Sequence, residues 1–496
     1  MKDVLAMTMA FHSIRIGIIW PDTLHYLAGG KLPSKETVGA CPRRLRYLKQ
    51  LFYDLDLPGY IVRYNKKRPY PTFFRHGLLQ LWEELAAWKE PYVAPRGITL
   101  ELRAKTCWTC PLGTEPQTRD SGAKRGLSLD DISGSSPTLP VVPCVTGLFV
   151  GRPGHRINPT TIGQMILSLP NLRSLDITLG MIRHKHRALR RELKSSLALV
   201  LETPTLQRLQ RLNLALDEHA PLSHSSWTKA DPEYPNGDDL GRAVCRLAQT
   251  CLEELHYSGP VSPVIFGVDP NHPHHEQKQF PRLKKLDIKF PIHTYDGRWY
   301  YNDDPSNVNR FFFHLDELQK YEYGYDYDSD WSSASDTDER HNSTRTLKFI
   351  QWWRRTVDPE MFEPLLRALV SATQRMPKLC ALKFVARNWE TALYDLGIEF
   401  AGGGVQANFL YHSLISGPLV AKPKWVVMRG LKMKWDLPEN IRRMMQEQAG
   451  GNAAILDSDG YWMDLALGIG VGMWSGIEMQ GGFVLTERRL FPPDIH

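Results

Sequence analysis

The chain has 496 residues, 42% hydrophobic and 23% charged, with a net charge of +7 at pH 7. These are the proportions of a folded globular protein, and the length exceeds one ordinary compact domain, leaving two or three domains or one elongated array. The mild positive charge disfavours a dedicated nucleic-acid binder, which concentrates its basic residues. Seven scattered cysteines, at 41, 107, 110, 144, 245, 251 and 380, exclude a disulfide framework and imply a reducing compartment.

The first twenty residues, MKDVLAMTMAFHSIRIGIIW, lack a clean secretory signal, because Asp3 sits in the would-be basic region and His12 and Arg15 interrupt the apolar run. Residues 1–40 are expected to be an irregular N-terminus. Three strand candidates follow: YLKQLFYDLDL (47–57), GITLELRA (97–104) and VVPCVTGLFV (141–150).

The clearest pattern begins at SLPNLRSLDITL (168–179) and returns in TPTLQRLQRLNLAL (203–216). Leu169, Leu172, Leu175, Ile177 and Leu179 fall on Leu206, Leu209, Leu212, Leu214 and Leu216, 37 residues on. The spacing L-x2-L-x2-L-x-L is that of a leucine-rich-repeat strand and the turn leading into it. Side chains alternate along a strand, so the leucines of L-x-L share one face and the residue between them takes the other. The pattern recurs in CLEELHY (251–257), FPRLKKLDIKF (280–290) and MPKLCALKFVA (376–386), and more weakly in HLDELQKYEY (314–323) and KWVVMRGLKMKW (424–435).

Helical stretches precede the strong strands at 157–169, 187–202, 239–251 and 359–376. The first opens with Asn158 as N-cap and Pro159 at the first helical position. Intervals of 37, 43 and 31 residues separate Leu172, Leu209, Leu252 and Leu283. Regular leucine-rich repeats run about 20–29 residues, so loops are inserted between the elements. The expected fold is an α/β, leucine-rich-repeat-like solenoid of parallel strands and helices over 41–447. Disordered insertions are expected near 111–140 and 324–346, the latter within the acidic YEYGYDYDSDWSSASDTDERHNST (321–344). A glycine-rich C-terminal tail occupies 448–496.

The basic run RHKHRALRRELK (183–194) carries Leu189 and Leu193 and reads as a solvated helix face. The stretch WMDLALGIGVGMW (462–474) is too short and glycine-rich to span a bilayer. The expectation is a soluble, cytoplasmic or nuclear protein with no membrane partner.

Several motifs invite chemistry. Cys107 and Cys110 form a C-x-x-C, but Pro111-Leu112-Gly113 follows where a redox dithiol needs a helix, and no second pair completes a zinc site. His272, His274, His275 and Glu276 crowd a proline-flanked loop that reads as solvated. Asp326, Asp328 and Asp330 have calcium-loop spacing, but Trp331 stands where glycine is needed and Thr337 where glutamate is. Ser335 and Thr337 are candidate phosphoacceptors. The glycines of GIGVGMWSG (468–476) do not complete a dinucleotide fingerprint, and no P-loop, nucleophile elbow or zincin motif occurs. No catalytic residue, metal or cofactor is assigned. The alternative reading is an enzyme with dispersed catalytic residues, or a redox protein using Cys107 and Cys110.

With the array in view, three segments resemble, in serial order and spacing, a large family of filamentous-fungal F-box proteins. They are RRLRYLKQLFYDLDLPGY (43–60), HGLLQLWEELAAWKEP with RGITLELRA (76–104), and LPVVPCVTGLFVGRPGHRINPTTIGQMILSLPNLRSLD (139–176). The resemblance covers residues 40–220, with Trp88 at the family's helix-terminal tryptophan, and extends loosely over 350–450. It implies an F-box followed by irregular leucine-rich repeats, and a substrate-receptor role in an SCF-type ubiquitin ligase. The F-box module itself is read as degenerate or missing, since LPSKE (32–36) only echoes its opening and Cys41-Pro42 follows at once. The partners implied are a protein target on the array and the ligase adaptor.

Repeat arrays bind partners on the broad surface their strands present. The residues inside each L-x-L that would project there are Asp176, Asn213, His256, Asp287 and Lys383. Their mixed charge suits a protein partner better than a nucleic-acid backbone.

Overall fold

The computed structural model describes residues 13–18, 48–57, 70–88, 96–106, 127–129, 137–151, 157–180, 187–217, 237–269, 278–303, 309–313, 348–352, 354–387, 396–402, 423–430, 433, 435–450 and 455–459. Eight strands open the main sheet: β1 (Ser13–Ile18), β2 (Gln50–Leu57), β3 (Ile98–Thr106), β4 (Val145–Val150), β5 (Ser174–Gly180), β6 (Arg211–Asp217), β7 (Glu254–Ser258) and β8 (Lys285–Pro291). Two small antiparallel ladders follow, built from β9 (Tyr301–Asn302), β10 (Asn309–Phe313), β11 (Lys348–Trp352) and β12 (Thr356–Val357), with β9 on β12 and β10 on β11. The main sheet resumes with β13 (Ala381–Arg387), β14 (Leu396–Ala401), β15 (Lys424–Arg429) and β16 (Ile455–Asp459).

The main sheet has twelve strands, in the order β1 to β8 and then β13 to β16. Within it each strand lies beside its chain neighbour and the order never reverses, unlike a doubly wound sheet, whose order turns back at a switch point. Parallel neighbours need a crossover, and helices supply several of them. The helices are α1 (Tyr70–Ala86), α2 (Pro159–Leu167), α3 (Arg187–Leu201), α4 (Asp239–Thr250), α5 (Pro359–Gln374) and α6 (Glu439–Gln448). A 3-10 turn at Pro263–Phe266 stands between β7 and β8. α2 packs on α3, α3 on α4, α4 on that turn, the turn on α5, and α5 on α6. The architecture is α/β, with a large, mostly parallel sheet and its helices.

Local sequence accounts for the helix starts. The Asn158 side chain accepts from Thr160 N at 3.0 Å with Pro159 next in line, as the sequence anticipates. Asp358 caps α5 in the same way, accepting from Glu360 N ahead of Pro359 at the first position.

A leucine ladder holds the sheet. Leu51, Leu100, Leu148, Leu175, Leu212, Leu255, Leu286 and Leu382 sit at one register on eight adjacent strands, all buried. Phe400 and Trp425 continue it on β14 and β15. These side chains and the inward faces of the helices form one continuous core. Trp82 of α1 is fully buried in it, and its indole N–H donates to Ser168 Oγ at 2.6 Å. The turn into each strand repeats as well. The carbonyls of Arg173, Gln210, Glu253 and Lys284 each accept two successive backbone N–H groups from the next strand. Four crossings built alike give the sequence repeat a structural counterpart.

Several expectations meet a different outcome. The array is not wholly parallel, because β14 runs antiparallel to both β13 and β15. Only residues 388–395 join β13 to β14, too few for the crossover of a dozen or more residues that a parallel neighbour needs. Within the insertion expected near 111–140, Leu127, Leu129 and Leu139 are buried, and Leu127 forms a bridge to Ile157. These leucines punctuate an otherwise polar stretch and give it something to bury. Ser13–Ile18, inside the stretch assigned to an irregular N-terminus, forms β1 on the edge of the sheet. Ile455–Asp459, inside the stretch assigned to a tail, forms β16 on the other edge. The strand candidate at 314–323 and the acidic segment 321–344 lie outside the described residues.

Candidate interaction face

The five L-x-L residues lie together. Asp176 on β5, Asn213 on β6, His256 on β7, Asp287 on β8 and Lys383 on β13 share one register, each paired with the next. The leucine and its partner on either side of each turn into the core, so alternation carries the middle residue to the opposite face. Sequence reasoning missed the continuation of this row. Phe52, Glu101 and Phe149 extend it across β2, β3 and β4, and Glu399 and Val426 across β14 and β15. The signal was present, since Glu101 sits inside Leu100-x-Leu102, Phe149 inside Leu148-x-Val150 and Glu399 inside Ile398-x-Phe400.

Side chains couple along the row. Asn213 Nδ2 donates to Asp176 Oδ2 at 2.7 Å. His256 Nδ1 stands 3.4 Å from Asp287 Oδ2, and Lys289 Nζ is 3.8 Å from the same oxygen. Arg103 and Gln50 both donate to Glu101. One oxygen each of Asp176 (Oδ1), Asp287 (Oδ1) and Glu399 (Oε1) has no hydrogen-bond partner. Two residues along the strands the chemistry differs. Glu254 takes Arg211 Nε at 2.9 Å on one oxygen and Lys285 Nζ at 3.2 Å on the other.

The protonation equilibria follow this layout. Burial raises the Asp176 carboxyl above its ordinary value, with Glu101 adding to it, against the Asn213 hydrogen bond and the charge of His256. Burial opposes ionisation of Asp287 too, yet the His256 hydrogen bond and the cations Lys289 and Lys383 outweigh it and hold that carboxyl low. Glu399, 3% exposed, is pushed up to about 7 by burial, against the pull of Lys383. Burial lowers Lys383 in turn, against Glu399 and Asp287. Both members of the Lys383–Glu399 pair are thus driven toward their uncharged forms. Around them Val385, Val426 and Met428 form a small apolar cluster separate from the main core.

A second polar group, buried beyond the ends of β7 and β8, corrects the reading of the basic run. Residues 183–186 lie outside the described residues, but α3 turns Arg190 and Lys194 inward with Leu193, Leu197, Ala198 and Leu201. Their spacing of four places them on the helix's core stripe rather than on a solvated face. Lys194 is lowered to about 7 by burial and by Arg190, with Asp238 and Asp296 pulling the other way. Asp238 caps α4, accepting from Gly241 N at 2.9 Å and from Ser262 Oγ at 2.6 Å. Asp296 accepts from Thr294 Oγ1 and from Arg298 Nε. Tyr257 and Tyr300 donate to the carbonyls of Pro260 and Val261. This group ties two helices and two loops to the sheet.

Cys107 and Cys110, the histidines of 272–275, the aspartates at 326–330 and the glycines of 468–476 lie outside the described residues. Burial raises the thiols of Cys144 to about 11 and Cys245 to about 12, which suppresses thiolate reactivity. Among the described residues no cluster of His, Cys, Asp or Glu could hold a metal ion, and no helix is long and apolar enough to cross a membrane. No family model, curated protein or solved structure matches the chain.

Proposed function

We propose that the chain is a non-enzymatic protein-interaction scaffold, an open leucine-rich-repeat-like array that receives a protein partner on the face opposite its leucine ladder. One observation carries this reading: five polar side chains on five adjacent strands stand at a single register, backed by a continuous apolar core. Between β5 and β8 the row is only half-buried, and its side chains are braced against one another. Pre-ordered polar groups on a stiff support lose little freedom when a partner docks, which favours recognition.

The family resemblance supports a more specific role, substrate recognition in an SCF-type ubiquitin ligase, with the target on the polar row. In that role the segment before residue 41 would dock the adaptor, or another subunit would supply the docking. The test is affinity purification of the tagged full-length chain from its native host, read by cross-linking. A target cross-linked to β5–β8, and lost on Asn213→Ala with His256→Ala, supports the scaffold. Recovery of a ligase adaptor supports the ubiquitin role. Cross-links confined to the helix side would reject the face assignment, and a purified target without an adaptor would reject the ligase role alone.

A further inference from the structure

We propose that the edge of the array where each helix ends and the next strand begins docks on an anionic lipid bilayer. Arginines and lysines of the turns meet the headgroups, and Val141, Leu167 and Leu199 enter the acyl boundary. No helix among the described residues is long and apolar enough to cross a membrane. Lying on a bilayer asks for less, namely a cationic surface with apolar side chains standing beside it. The proposal reverses the expectation of no membrane partner, and it leaves the polar row on the sheet face open to a protein.

The fold gathers cations that the chain scatters. The turns into β5, β6, β7, β8 and β13 are residues 170–173, 202–211, 251–254, 279–285 and 375–381, and they carry eight cations against three carboxylates. Each carboxylate is already held: Glu202 by Arg246, Glu253 by Lys284, and Glu254 by Arg211 and Lys285. Arg173, Arg208, Arg282 and Lys378 are exposed, and among the described residues no ion pair engages them. Arg208, Arg282 and Lys378 occupy one position of the repeat, directly before the buried turn leucines Leu209, Leu283 and Leu379. Their strands are β6, β8 and β13, with Arg173 on the turn into β5. The four cations therefore span four strand spacings, about 19 Å.

The apolar component lies at the same edge. Val141, Leu167 and Leu199 are the exposed large hydrophobics among the described residues, at 61%, 58% and 71%. They come from neighbouring layers. Leu167 ends α2, Leu199 lies in the last turn of α3, and Gly163 of α2 faces Val200 of α3. Val141 stands on the run into β4, beside the end of α2, because the Val142 N–H donates to the Ser168 carbonyl at 2.8 Å. Side chains exposed to this degree stand proud instead of lining a groove, so they offer little to a bound peptide. A duplex nucleic acid would leave them unused, and the turns present no exposed aromatic ring on which unpaired bases could stack. A lipid surface uses both the charge and the aliphatic side chains.

The experiment is cosedimentation of the full chain with vesicles of phosphatidylcholine alone, or with about one-third phosphatidylserine. The chain is expected to bind the phosphatidylserine vesicles, and raising salt to about 1 M should weaken that binding at least tenfold. Arg208→Gln with Lys378→Gln lowers the partition coefficient about thirtyfold. Leu199→Ser lowers it about tenfold and leaves its salt dependence unchanged. Arg367→Gln with Arg443→Gln, which removes the same charge from exposed sites on α5 and α6, leaves binding as it was. Equal losses from the two double variants would overturn the proposal, because net charge alone would then explain the attraction. Equal binding to both kinds of vesicle would overturn the anionic headgroup as the ligand. Absence of vesicle binding would overturn the membrane outright, as would a turn-dependent affinity found only for duplex DNA or for polyglutamate.

Discussion

Glu399→Gln gives a direct reading of how deeply the far end of the polar row is buried. The side chain is 3% exposed, and its carboxyl is raised from 4.5 to about 7 by that burial, against the attraction of Lys383. In the unfolded chain the group ionises near 4.5, whereas the folded chain keeps its proton until about 7. The folded state therefore holds more protons in that window, and stability falls as pH rises through it. At about 1.4 kcal/mol per pH unit, the loss between pH 4.5 and 7 is about 3 kcal/mol from this group. Glutamine has the same shape and no titration, so the difference in stability between variant and wild type should tilt toward the variant by about that amount. Urea unfolding at half-unit steps from pH 4 to 8 measures it, with the difference curve cancelling groups common to both proteins. A flat difference curve, or one that favours wild type increasingly with pH, would show that Glu399 is solvated or firmly ion-paired.

Leu212→Ala, at the centre of the leucine ladder and fully buried between Leu175 and Leu255, should cost about 2–5 kcal/mol in urea unfolding; a cost under about 0.5 kcal/mol, the range of surface substitutions, would place the ladder outside the core. Lys194 releases its proton near 7 in the folded chain and at 10.5 when unfolded, so it makes stability rise between pH 7 and pH 10.5. Lys194→Met should flatten that rise in unfolding curves at pH 7 and 9, and an unchanged slope would mean that Lys194 stays charged. Cys144 and Cys245, with thiols raised to about 11 and about 12, should resist an aromatic disulfide reagent at pH 8 until denaturant is added. Rapid labelling of either in the folded protein would contradict their burial.

The repeat made the middle of the fold legible. Where leucines recur at fixed spacing, as at Leu172-x2-Leu175 and Leu209-x2-Leu212, strand, register and facing residue all follow from alternation alone. That is why Asp176, Asn213, His256, Asp287 and Lys383 could be picked from sequence as occupants of one face. Legibility fell where the pattern was diluted. Glu399 went unnoticed because β14 reads LGIEFA, with one leucine, one isoleucine and one phenylalanine in place of a leucine stripe. Its antiparallel direction depends on the length of a connection rather than on its own residues. Arg190 and Lys194 were misread for a different reason. Charge argued for solvent, whereas helical position argued for the core, and partners from Asp238 and Asp296, 44 and 102 residues beyond Lys194, decided the contest. Such long-range compensation has no local signature. The donor-poor oxygens of Asp176 and Asp287 were equally hidden, since sequence names the carboxylates but not which of their neighbours reach them.

The most direct test of the account is cysteine labelling at two adjacent positions of β6, in the chain alone and in complex with a partner purified alongside it. Asn213→Cys should react with a maleimide at an open rate in the free chain and slow at least tenfold in the complex, while Leu214→Cys stays unreactive in both until the protein is unfolded. Leu214→Cys reacting faster than Asn213→Cys would invert the sheet's faces, and an Asn213→Cys rate indifferent to the partner would move the binding surface elsewhere.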